Sequence, residues 1–198
     1  MRKPLNRDAI LDKAVELLDR DGIDALSMRK LGTALGVEAM SLYNHIPSKA
    51  ALLDGIHERI LLSLDPPPNA RSWQAFARHQ ARALHRALLA HPHAITLFAT
   101  RPASTPAAIE QLDRYLEVLM KAGFKPLEAL SIVQLTAQLV VGHVMWTTGI
   151  ESIELAQATA PATQHPAVER ALHTWDPDRE LQLGIDALLH GFERLLGA

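Results

Sequence analysis

Along the whole chain, apolar side chains recur at spacings of three and four residues, which puts them on one face of an α-helix; nowhere do they alternate singly as a half-buried strand requires. Ile10, Ala14, Leu17 and Leu18 define a first helix that stops at Asp21-Gly22. Ser27, whose hydroxyl can take a free backbone N–H, opens a second helix carrying Leu31 and Leu35, and Gly36 closes it. After a single linker, Val37, a third short segment starts at Glu38 with Leu42 and Ile46 inward. Pro47 breaks it, and Ser48 caps a fourth helix with Leu52, Leu53, Ile56 and Ile60. The run Leu64-Asp-Pro-Pro-Pro-Asn69 ends that helix. Three consecutive prolines make a stiff extended joint, so two domains are expected, 1–64 and 72–198.

Beyond the joint, Ser72 begins a helix to about Ala90, stopped by Pro92, and a short apolar piece runs from Ala94 to Ala99. Thr105-Pro106 is an N-cap followed by proline at the first helical position, opening a helix to Gly123. Pro126 starts a long helix, and residues 149–165, rich in Ala, Thr, Gln and Pro, predict a loop. A short helix from Pro166 to about Thr174 follows. Asp176-Pro177 repeats the cap signal and opens the last helix, with Leu181, Ile185, Leu188, Leu189, Phe192 and Leu195 inward. The expected fold class is all-α.

Two short helices joined by Gly36-Val37, the second followed by a capped third, have the layout of a helix-turn-helix. In such a unit the second helix enters the major groove and its N-terminal residues meet base edges, which makes double-stranded operator DNA the expected partner. Residues 39–45 suit that role. Leu42 packs inward, Ala39, Met40 and Ser41 offer apolar or hydroxyl contact to bases, and Asn44 offers an amide. Tyr43 and His45 are placed for phosphates, flanked by Arg29 and Lys49 on the first turns of the neighbouring helices.

Charge narrows this reading. Lys and Arg number 20 against 22 Asp and Glu, a net charge of −2, so no global basic field draws the chain to a polyanion. Residues 1–64 are balanced too, with nine of each sign. The acids gather in the first helix and its turn, however, whereas Met28 to Ala51 carries Arg29, Lys30 and Lys49 against Glu38 alone. That asymmetry is what a groove-facing edge requires.

The run Ala25-Leu-Ser-Met-Arg-Lys-Leu-Gly-Thr-Ala-Leu-Gly-Val-Glu-Ala-Met-Ser-Leu-Tyr-Asn-His-Ile-Pro-Ser-Lys-Ala-Ala-Leu-Leu-Asp54 resembles the DNA-binding domain of the TetR family of transcriptional regulators, through its Leu-Gly-Val, Leu-Tyr-x-His and Lys-x-x-Leu-Leu-Asp elements. Ser72-Trp73-Gln74-x-Phe76, Ala87-Leu88-Leu89-x-His91, Thr100-Arg101-Pro102, Gly123-Phe124 and Glu128-Ala129-Leu130 are similar to the ligand domain of that family's tetracycline-responsive branch. The resemblance implies a homodimer joined through the last two long helices of each subunit. It also implies a cavity for a small organic effector whose binding releases the operator, with Gln80, Leu84 and Leu97 among the lining positions.

In that branch a metal-ligand histidine stands three residues before the Thr-Arg-Pro triplet, where this chain has Leu97, and a drug-gripping histidine falls nearest to Asp65. A phenylalanine and an asparagine of the first pocket helix correspond to Leu84 and Gln80. A magnesium–tetracycline chelate is therefore not the expected ligand, and no metal or other cofactor is expected.

The long helix adds a feature of its own. Ala129 to Ile150 holds no charged side chain and is long enough to span a bilayer, but Glu128 and Glu151 bound it and no basic flank exists. A helix buried on all sides of a bundle is expected, with no membrane partner, and the absence of a signal-like N-terminus predicts a cytoplasmic protein. Ser131, Gln134, Gln138 and Gly142 form a polar and small stripe, which lines either an effector cavity, the favoured reading, or the dimer interface. Thr100, Tyr115, His143 and Trp146 could join a cavity.

The absence of cysteine excludes thiolate metal sites and a cysteine nucleophile. The close histidine pairs, His79/His85 and His91/His93, lack the spacing that puts two imidazoles on one helix face, so surface or capping roles are expected. No catalytic motif is present, and the expected protein is not an enzyme. The expectation is a ligand-responsive DNA-binding regulator, a repressor released by a small organic effector. The alternative is a helical small-molecule-binding or adaptor protein that has lost DNA binding.

Overall fold

A computed structural model describes residues 5–64, 71–151 and 165–196. Every regular element among them is helical: α1 (Arg7–Asp21), α2 (Met28–Leu35), α3 (Ala39–Tyr43), α4 (Lys49–Leu62), α5 (Trp73–Ala90), a 3-10 turn (Pro92–Ala94), α6 (Ile95–Thr100), α7 (Pro106–Lys121), α8 (Pro126–Glu151), α9 (Pro166–His173) and α10 (Pro177–Glu193). The triple proline and Asp65 lie outside the described residues.

Helix starts follow the capping chemistry. Ser27 Oγ accepts from the Lys30 N–H, Ser48 Oγ from Ala51, Ser72 Oγ from Ala75, Thr105 Oγ1 from Ala108, and Asp176 Oδ1 from both Asp178 and Arg179.

The described residues divide into two compact units, one drawn from 1–66 and 86–115 and the other from 67–85 and 116–198. In the first, α1, α2, α3 and α4 close around Ile10, Leu18, Leu31, Leu42, Leu52 and Ile56, all fully buried, and Ala94 and Leu97 join the same core. A two-bond ion pair fastens α1 to α4: Arg7 Nη1 and Nη2 donate to Glu58 Oε1 and Oε2 at 2.6 and 3.1 Å. Burial pushes the Glu58 carboxyl up, but hydrogen bonds from Arg7 and Thr105 outweigh it and leave the group below its ordinary value.

In the second unit α10 packs along α8, burying Leu181, Ile185 and Leu189, and the lack of a side chain at Gly184 admits Leu139. Arg78 Nε donates to Asp186 Oδ1 at 2.6 Å, Arg82 donates to Gln182, and Trp73 meets Phe124 edge to face at 4.8 Å. Helix α9 buries none of its residues in the chain.

Two sequence expectations are corrected. The loop expected from Gly149 begins later, because α8 continues through Glu151; Thr147 and Thr148 donate back to the carbonyls of His143 and Val144 at 3.0 and 2.7 Å, and residues 152–164 lie outside the described residues. Nor is α8 buried on all sides. It is long and apolar enough to cross a membrane, yet only 33 % of that span is buried in the chain. Ala129, Ile132, Thr136, Val140 and Val144 face inward. Leu127, Leu135, Met145 and Trp146 share the opposite, exposed face with Gln134, Gln138 and Gly142.

Candidate nucleic-acid interface

The turn between α2 and α3 is built from glycine. Gly36 takes the left-handed conformation (φ 65°, ψ 38°), and the Val37 N–H donates to the Gly32 carbonyl at 2.9 Å, reversing the chain within two residues. Gly32 brings the helices together: a Cβ there would lie 2.9 Å from the Val37 carbonyl oxygen and 3.2 Å from the Ala39 nitrogen. Helix α3 is only five residues long and has no side-chain cap, so its position rests on this contact and on Leu42, fully buried in the core.

With Leu42 inward, the other side of α3 is left outside. Met40, Tyr43, Asn44 and His45 are exposed, and Ala39 and Ser41 are half-buried beside them. Arg29 on α2 and Lys49 on α4 are exposed, and neither meets an acid among the described residues; Lys30, by contrast, is held by Asp21 at 2.8 Å. The unit thus presents one short helix whose outer face mixes an apolar, a phenolic, a hydroxyl and an amide side chain, with two uncommitted cations on flanking helices. That is a helix-turn-helix of the DNA-binding class.

The residues expected to meet an effector are divided between the units. Leu97 is buried in the core shared with α1 to α4, Thr100 donates its hydroxyl to the Thr96 carbonyl at 2.6 Å, and Tyr115 receives a hydrogen bond from Gln111 Nε2 at 2.7 Å, all in the first unit. Gln80, Leu84, Gln134, Gln138 and Trp146 belong to the second. Leu84 is buried, whereas Gln134, Gln138 and Trp146 are exposed. Lining a cavity within one chain would require Gln134 and Gln138 to be buried, and they are not. Among the polar groups that α8 does bury is the Thr136 hydroxyl, which has no hydrogen-bond partner among the described residues.

Gln111 carries no signal of its own in the sequence, although it shares a helical face with Ala108 and Tyr115; it reaches the Leu61 carbonyl at 3.3 Å. The histidines are also less peripheral than expected. His57 is buried with its ring 4.3 Å from that of Phe98, beside the Asp54–Arg101 ion pair, and His91 Nδ1 lies 2.9 Å from Asp19 Oδ2. Burial is the chief cause holding His57 below the ordinary imidazole value; Arg101 adds to it and Asp54 opposes it. His85 and His143 face each other at 5.8 Å, but no group of three or more potential ligands able to hold a metal occurs among the described residues.

Comparison with known proteins places the chain in a family. The profile of bacterial regulatory proteins of the tetR family matches residues 10–56, and that of the tetracyclin repressor-like C-terminal domain matches residues 65–194. The chain belongs to the TetR family of transcriptional regulators, and is a regulator, not an enzyme. A class D tetracycline repressor protein from Escherichia coli is 32 % identical over 205 residues, covering 97 % of this chain and 88 % of its own. The HTH-type transcriptional repressor DrrR1 of Streptomyces coeruleorubidus is 26 % identical over 212 residues, 97 % of this chain and 78 % of its own. The TetR family protein ActR of Streptomyces coelicolor, solved in complex with actinorhodin, matches with a TM-score of 0.83 at 26 % identity over 98 % of each chain.

Proposed function

We propose that the protein is a cytoplasmic repressor that holds operator DNA as a homodimer and releases it when a small organic effector binds. The observation that carries the DNA half is the outer face of α3, left unpacked while Leu42 anchors the helix. In this reading Ala39, Met40, Ser41 and Asn44 meet base edges, and Arg29, Tyr43, His45 and Lys49 meet phosphates.

Likeness to repressors named for tetracycline, and to ActR bound to actinorhodin, supports an organic effector. With Leu97 packed in a core, no donor stands there for a chelated cation, so apolar contact dominates binding; Leu84 and Gln80 on α5 are proposed contacts. The exposed face of α8 supports the dimer: Leu127, Leu135, Met145 and Trp146 form an apolar strip that a second copy would cover, and Gln134 and Gln138 are reassigned to that interface.

The test is selection from a pool of random DNA duplexes with the full chain, alongside sedimentation. The expected result is a two-fold symmetric consensus, with half-sites about 34–36 Å apart, bound by a dimer. A chain that sediments as a monomer at micromolar concentration, or a pool without consensus, refutes the reading. Leu135→Glu should dissociate the dimer while leaving the monomer folded.

A further inference from the structure

We propose that Met40 reads the 5-methyl group of a thymine in each operator half-site. The inference rests on the DNA-binding reading above and specifies what the operator must contain. Met40 is 75 % exposed, the highest value of any large apolar side chain among the described residues. Leu127, Leu183 and Trp146, next in exposure, all lie in the second unit. Nothing among the described residues of the first unit accounts for Met40 structurally: the core takes its neighbour Leu42 instead, and Tyr43 and Asn44, the residues three and four positions on, are exposed as well.

Its chemistry then restricts what it can recognise. Methionine has no hydrogen-bond donor and only a weakly accepting sulfur, so it gains little from the amino, carbonyl and ring-nitrogen edges that adenine, guanine and cytosine present in the major groove. Thymine alone among the four ordinary bases offers a methyl group there. The flexible, polarisable thioether side chain can fit against that methyl without demanding one backbone distance. Met40 is also the second residue of α3, within the N-terminal turn from which a recognition helix reaches base edges. Ser41 and Asn44 supply the polar contacts that Met40 cannot, so the mixed face divides between one methyl and the neighbouring polar edges.

The experiment uses the full chain and the consensus duplex obtained by selection from a random pool. Each thymine of that duplex is replaced in turn, symmetrically in both half-sites, by deoxyuridine, which removes the methyl and nothing else. At one position wild-type affinity should fall about fourfold per half-site, the factor that burial of one methyl corresponds to, and so about fifteenfold for the symmetric pair. Met40→Ala should bind the thymine and uracil duplexes equally, with an unchanged melting temperature because the side chain lies outside the core. Met40→Leu, still apolar, should keep most of the preference. A wild-type protein indifferent to every replacement, a consensus without thymine, or a preference that survives Met40→Ala would overturn the inference while leaving DNA binding intact. A pool that yields no consensus overturns the DNA-binding reading, and this inference with it.

Discussion

Replacing Gly32 by alanine tests whether the contact between α2 and α3 sets the recognition surface. The added Cβ would stand 2.9 Å from the Val37 carbonyl oxygen, 3.2 Å from the Ala39 nitrogen and 3.3 Å from its Cα. All three are backbone atoms and cannot rotate away, so α3 must shift by a few tenths of an ångström. Two effects compete. Alanine in place of a helical glycine gains about 0.5–1 kcal/mol, whereas overpacking typically costs about 1–3 kcal/mol. The clash wins, for a net loss of roughly 0.5–2 kcal/mol and, at about 2–4 °C per kcal/mol, a lowered melting temperature. Gly55→Ala is the control: its Cβ would meet Leu11 Cδ2 at 2.6 Å, but that methyl ends a flexible side chain and can move, so its loss should be smaller. Operator affinity separates the two further, since only Gly32→Ala moves α3. Thermal denaturation and titration with the selected duplex read both quantities. A Gly32→Ala protein that melts at or above wild type and binds its operator equally would refute the argument.

Features that depend on neighbours along the chain are legible in the sequence alone. Ser27, Ser48, Ser72, Thr105 and Asp176 cap at the positions their patterns predict, because a cap needs only an oxygen and a free N–H three residues on. The helix-turn-helix follows from Gly36 for the same reason. Helix α8 marks the limit. Periodicity distinguishes faces by contrast between polar and apolar residues, and a helix without charged residues from Ala129 to Ile150 offers too little contrast to say which face meets its own chain. Its exposed strip looks, in sequence, the same as a buried one. Pairings between distant positions are equally hidden: Arg7 with Glu58, Gln111 with the Leu61 carbonyl, and His57 against Phe98 depend on how helices pack, which no local pattern encodes.

Three further predictions concern the head. Tyr43→Ala and Lys49→Ala should weaken binding to specific and random duplexes alike and reduce the salt dependence, while Ser41→Ala and Asn44→Ala should relax sequence preference by about 1–3 kcal/mol per lost base contact; equal losses on every duplex would reject the division. Arg7→Ala strands the Glu58 carboxylate, whose side chain is 8 % exposed, and should cost about 1–3 kcal/mol in denaturant unfolding, with the double replacement Arg7→Leu, Glu58→Leu recovering most of it. The last prediction follows from His57. Because burial holds the folded imidazole below its ordinary value near 6.5, the unfolded chain takes up a proton that the folded chain refuses once the pH drops past that point. The stability that the neutral His57 contributes is therefore fully present above pH 6.5 and is lost as pH falls toward the depressed folded value, at up to about 1.4 kcal/mol per pH unit. His57→Gln keeps a polar side chain of similar size but cannot titrate. Denaturant unfolding between pH 8 and pH 5 should show a shallower decline for the variant than for wild type, whatever the variant's stability at pH 8. Parallel declines would mean that the buried imidazole accepts its proton as readily as a solvated one, and that its place between Phe98 and the Asp54–Arg101 pair does not exclude the charge.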